Sequence, residues 1–108
     1  MLAEKLETVV SRGVANTRPR DFYDIHVLWK LRGEECDLAT LKDAVSATYE
    51  KRGSADRMAR WAQVLGQVEQ DAQMLALWSK YAKRNPYVAG ITLQECCETA
   101  RGIMASIA

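Results

Sequence analysis

Asn16-Thr17-Arg18-Pro19-Arg20-Asp21-Phe22-Tyr23-Asp24-Ile25 is the stretch on which the reading of this chain turns. It gathers two cations and two carboxylates where a helix begins. Pro19 has its φ fixed near the helical value and lacks the N–H that a first turn leaves unpaired, so it reads as the first helical residue. Asp21 and Asp24 then fall three apart, on one face, where the positive end of the helix dipole favours negative charge.

The helical pattern extends in both directions. Upstream, Leu2, Leu6, Val9 and Val10 repeat at helical spacing up to Gly13, which suits a left-handed cap. The second helix, Pro19 to Arg32, places Phe22, Ile25, Leu28 and Trp29 on one side and stops at Gly33. Asp37 caps a third helix bearing Leu38, Leu41, Val45 and Tyr49, and Lys51-Arg52-Gly53 closes it. From Ala55 to Arg84 the spacing predicts two helices, broken near Gly66. Asn85-Pro86-Tyr87 ends that segment, because proline pushes the preceding residue out of the helical region. Thr92 and Glu95 form a capping box for a last helix with the stripe Leu93, Cys96, Cys97, Ala100, Ile103, Met104 and Ile107. The expectation is an all-α fold, a small helical bundle of roughly five to six helices.

Composition narrows the function classes. The 108 residues make one domain, with 48% hydrophobic and 27% charged residues, values typical of folded chains. A net charge of +1 gives no global attraction to nucleic acid or anionic membrane, so any polyanion site is local. Three cysteines, two of them adjacent, have no partners at zinc-ligand spacing and fit a reduced, cytoplasmic compartment. No apolar stretch reaches the ~20 residues that cross a bilayer, so no membrane association is expected.

The pattern R-x-[KR]-D-x-x-D over Arg18 to Asp24 resembles the last motif of the AbiEii/AbiGii nucleotidyltransferase toxin family, the enzymatic half of bacterial abortive-infection toxin–antitoxin pairs. Ala3-Glu4-Lys5-Leu6 is similar to the family's lysine-bearing helix. Tyr49-Glu50-Lys51-Arg52-Gly53, Leu77-Trp78-Ser79-Lys80-Tyr81 and Pro86 to Leu93 resemble its helical C-terminal half. The family usually has lysine where this chain has Arg20.

The resemblance implies nucleotide transfer from a triphosphate to an RNA or other acceptor. It implies Lys5, Arg18 and Arg20 as phosphate-binding residues, and Asp21, Asp24 and Lys5 as catalytic ones. Magnesium and a nucleoside triphosphate are implied for the full-length family. The sheet element that carries a Gly-Ser or Gly-Gly turn and a D-x-D pair to hold them there does not occur here, so the chain reads as a helical portion, residues 1–33 with the motifs and 34–108 behind them, without the N-terminal nucleotidyltransferase sheet. On that reading no cofactor is held by this chain alone, and it is inactive in isolation. A cognate antitoxin is the implied partner.

Two other readings compete. One makes the chain a self-associating helical module, a homodimer through apolar surface uncovered on the first two helices. The other makes those helices a DNA-binding helix-turn-helix, but the Gly13 to Arg18 connection is long for that motif, and Asp21 and Asp24 stand where base-reading groups belong. His26, Trp29, Trp61, Trp78, Cys96 and Cys97 all fall at or beside apolar helical positions and read as core rather than site.

Overall fold

Asn16 is where the chain turns from its first helix into its second. In the computed structural model, which describes residues 2–88 and 90–108, Asn16 is buried and its Oδ1 accepts a 2.8 Å hydrogen bond from the Arg18 N–H. That local turn sets the start of α2 (Pro19–Arg32), three residues beyond a 310 turn at Gly13–Ala15, which follows α1 (Leu2–Arg12). Gly13 takes φ +51°, and a Cβ there would stand 3.0 Å from Val64 Cγ1. Only glycine suits both the backbone and the contact.

The remaining helices are α3 (Leu38–Arg52), α4 (Ala55–Met58), α5 (Trp61–Val68), α6 (Ala72–Arg84) and α7 (Leu93–Ile107). The all-helical expectation holds, with seven α-helices and no strand among the described residues. Asp37 caps α3 through Ala39 N, and Gly53 closes it at φ +68°. Thr92 Oγ1 accepts from Glu95 N at 3.1 Å, which forms one half of the capping box at α7.

The segment from Ala55 to Arg84 differs from expectation. It holds three helices rather than two, and Gly66 lies inside α5. One break falls at Ala59–Arg60 and the other at Glu69–Asp71, where the Asp71 carboxylate accepts from Met74 N at 3.0 Å and starts α6. A side-chain cap decides the boundary there; an exposed helical glycine costs only about 1 kcal/mol and is tolerated.

The core forms where α7 lies against α2, α3 and α5, while α1 packs on α2 and α3. Every residue of the predicted α7 stripe is buried, together with Leu6, Val9, Val10, Phe22 and Ile25. At roughly 1.5 to 3 kcal/mol for each large apolar side chain, offset by chain entropy, this burial is what holds the domain together. The inner part of the α1 and α2 stripes is therefore covered within the domain, while Leu2, Leu28 and Trp29 are half-buried. Val14 and Leu31 remain exposed beside them. No described helix is long and apolar enough to cross a membrane.

Of the residues read as core, His26, Trp78, Cys96 and Cys97 are buried, while Trp29 and Trp61 are half-buried against it. His26 is buried, with Nδ1 2.8 Å from Thr99 Oγ1. Trp78 is buried and donates from Nε1 to Ile91 O at 3.2 Å. Burial pushes the Cys96 and Cys97 thiols up to about 12, so neither is a thiolate at neutral pH.

Candidate functional site

α1 and α2 lie side by side, and this brings Lys5 to the start of α2. Lys5 Nζ donates to Asp24 Oδ2 at 2.9 Å, and Arg20 Nε, one turn earlier on α2, stands 3.7 Å from the same oxygen. One carboxylate oxygen thus faces two cations from two helices. Arg18 Nη2 lies 3.7 Å from Asp21 Oδ1, while Asn16 Nδ2 donates to Asp21 Oδ2 at 3.4 Å.

The two aspartates differ in setting. The Asp21 side chain is 6% exposed and held by the Asn16 turn, whereas Asp24 is about a quarter exposed and reachable from solvent. Arg18 and Arg20 extend outward, with side chains 65% and 73% exposed. Lys5, Arg18 and Asp21 line one open cleft of about 270 Å3. Arg20 and Asp24 sit on its α2 side, outside that lining. The arrangement presents positive charge to solvent over partly buried carboxylates, which suits a bound anion.

Beside Asp24 stands an aromatic group that the sequence reading passed over. Tyr23, the residue before Asp24, has its ring centroid 5.2 Å from that of Tyr87 and 6.2 Å from that of Tyr81. The Tyr81 and Tyr87 hydroxyls are 3.2 Å apart. Burial, the Tyr87 hydroxyl and the neighbouring charges of Tyr87 and Asp24 push the Tyr81 phenol well up, against the opposing pull of Arg20. The signal available in sequence was the pair of tyrosines flanking Asn85-Pro86.

On the other side of the cleft, Glu7 departs from expectation. Periodicity places it with Glu4 and Lys5 on a charged, solvated face, yet it is 3% exposed. Its Oε2 accepts from Ser54 Oγ at 2.7 Å and its Oε1 from Arg52 Nη1 at 2.5 Å. Burial pushes the Glu7 carboxyl up, but hydrogen bonds from Ser54, Arg52 and Ser11 and the Arg52 charge outweigh it and hold Glu7 below the ordinary glutamate value.

These residues do not fit a magnesium ion, which takes near-octahedral oxygen ligands and favours uncompensated carboxylates. Asp24 Oδ2 is shared by an ammonium and a guanidinium, and the Asp21 oxygens face Arg18 and the Asn16 amide. Among the described residues no three His, Cys, Asp or Glu side chains come together as a metal cage.

Arg18, Arg20, Asp21 and Asp24, the residues of the R-x-[KR]-D-x-x-D pattern, thus stand together at one helix start, with Lys5 of α1 against Asp24. The family model of the nucleotidyl transferase AbiEii toxin, type IV toxin–antitoxin system, matches residues 1–96, and the chain belongs to that family. The match spans α1 to α6 and the start of α7. No curated protein and no solved structure matches the chain. The family's place in toxin–antitoxin systems makes an antitoxin the partner it implies.

Proposed function

We propose that this chain forms the helical wall of a nucleotidyltransferase site, in which Lys5, Arg18 and Arg20 face the phosphates of a nucleoside triphosphate and Asp21 and Asp24 are the acidic members. The observation that carries the reading is the meeting of Lys5 Nζ and Arg20 Nε on Asp24 Oδ2, at 2.9 and 3.7 Å. The family description supplies the reaction class.

In such a transfer the acceptor hydroxyl oxygen bonds to the α-phosphorus, the bond to the bridging oxygen breaks, and pyrophosphate leaves with the electron pair. Charge builds on the phosphate oxygens, and fixed cations stabilise it. Lys5 and the arginines supply that charge. Asp24, solvent-reachable and beside them, accepts the hydroxyl proton or holds Lys5 in line, and Asp21 anchors the Arg18 turn. The acceptor is RNA or another hydroxyl-bearing molecule. Because the donor set does not fit magnesium, the metal-holding element lies outside these residues, and this chain alone transfers nothing.

The test pairs binding with transfer. Labelled nucleoside triphosphate should bind weakly to this chain, and Lys5→Met or Arg20→Met should reduce that binding about tenfold. Unchanged binding in both variants would remove the phosphate site. Robust transfer by this chain alone would overturn the division of labour, and self-association without triphosphate binding would favour the interaction-module reading.

A further inference from the structure

The cleft containing Lys5 and Asp21 continues into a larger one. A polar cleft of about 630 Å3 shares Thr8, Arg18 and Arg52 with it and adds Arg12 and Arg57. A third, of about 270 Å3, shares Ser11, Arg12 and Arg57 with the second and adds Arg60 on the approach to α5. Five arginines, Arg12, Arg18, Arg52, Arg57 and Arg60, line the last two clefts, and the one carboxylate in their lining is Glu7. Both oxygens of Glu7 already accept from Ser54 and Arg52. In a chain of net charge +1, this is a strong local excess of positive charge.

Two of these arginines are anchored by hydrogen bonds and still have donors to offer. Arg52 bonds Glu7 and Thr8, and Arg57 bonds Ser11 O at 3.0 Å, in each case through Nη1. A guanidinium carries five N–H donors in a fixed fork, so the remaining ones stay available to an anion while the side chain is already positioned. No aromatic side chain lines either of the two arginine clefts, so nothing there holds a base. A single compact anion is served by one enclosed nest; here guanidinium groups follow one another along connected open clefts, which matches successive phosphates of a strand.

We propose that Arg12, Arg52, Arg57 and Arg60 form a track for the phosphodiester backbone of a nucleic-acid strand, leading toward Arg18 and Lys5. The track needs no transfer chemistry, so it stands or falls separately from the proposed reaction, and its test avoids Lys5 and Arg20.

The experiment is anisotropy of labelled single-stranded RNA, and DNA of the same sequence, titrated with the intact chain from about 50 to about 200 mM salt. Affinity should fall steeply as salt rises. The R12A/R57A/R60A variant should bind about ten- to a hundredfold more weakly and lose about two from the log–log salt slope, at about 0.7 per phosphate contact. Equal binding of RNA and DNA marks backbone reading alone, and preference for RNA adds contact with the 2′-hydroxyl; both keep the track. Because Arg57 also bonds α1, R12E/R60E is measured beside it and should weaken binding at least as much, with both variants checked for unchanged helicity. Wild-type affinity in either folded variant, a salt-independent affinity, or displacement by inorganic tripolyphosphate as effectively as by an oligonucleotide would overturn the track.

Discussion

Ser54 Oγ donates a 2.7 Å hydrogen bond to Glu7 Oε2 across 47 positions of sequence, tying the start of α4 to the middle of α1. Arg52 completes the contact from the end of α3. Removing the carboxylate leaves a buried hydroxyl without its acceptor, while Arg52, 45% exposed, returns largely to water. Glu7→Ala should therefore cost about 2 to 3 kcal/mol in urea unfolding, and Arg52→Ala distinctly less.

The same contact sets a pH dependence. Glu7 titrates below its ordinary 4.5 in the folded chain, so the unfolded chain binds the proton first as pH falls. Its contribution is complete above the unfolded value and is lost as pH drops through the folded one. Stability measured from pH 6 downward should decline below about 4.5, and Glu7→Gln should flatten part of that decline.

Lys5 and Asp24 separate stability from binding. Their pair is about a quarter exposed on both sides, so solvent screens most of its attraction. Lys5→Met should change unfolding free energy by less than about 1 kcal/mol while removing most triphosphate affinity. A loss of stability comparable to the Glu7 variant would mark the pair as structural.

Two glycines should respond in opposite directions. Gly53 closes α3 at φ +68°, where an added Cβ meets open space but the backbone opposes it, so Gly53→Ala should destabilise by about 1 kcal/mol. Gly66 lies inside α5, also with open space at its Cβ, so Gly66→Ala should stabilise by about 0.5 to 1 kcal/mol. Thermal unfolding of the two variants checks both signs.

Thiol labelling should split the cysteines. Cys36 is partly exposed, whereas Cys96 and Cys97 are buried with thiols raised to about 12. A disulfide reagent should modify one thiol rapidly in the native chain and all three in denaturant.

The helix ends legible in sequence were those marked by a residue with one strong local preference: Gly13, Pro19, Asp37, Gly53 and Thr92 each sit where their chemistry predicts. The segment after Gly53 was less legible, because Asp71 as a cap outweighed Gly66 as a breaker. The juxtaposition of Lys5 with Asp24 came from the family pattern, since nothing in helical periodicity pairs positions nineteen apart. Glu7 shows the limit of periodicity. Its spacing matches a solvated face, and only the arrival of Arg52 and Ser54, more than forty positions later, makes it interior.

The last helix has a consequence for the charged cluster. α7 packs against α2, α3 and α5, and its Ile103, Met104 and Ile107 are buried although the family match ends at 96. Synthesis runs from α1 toward α7, so the charged motif is made before the helix on which α2 rests. Native packing of the cluster therefore waits on α7, and a lesion in that helix would unseat α2 and, with it, Arg20, Asp21 and Asp24.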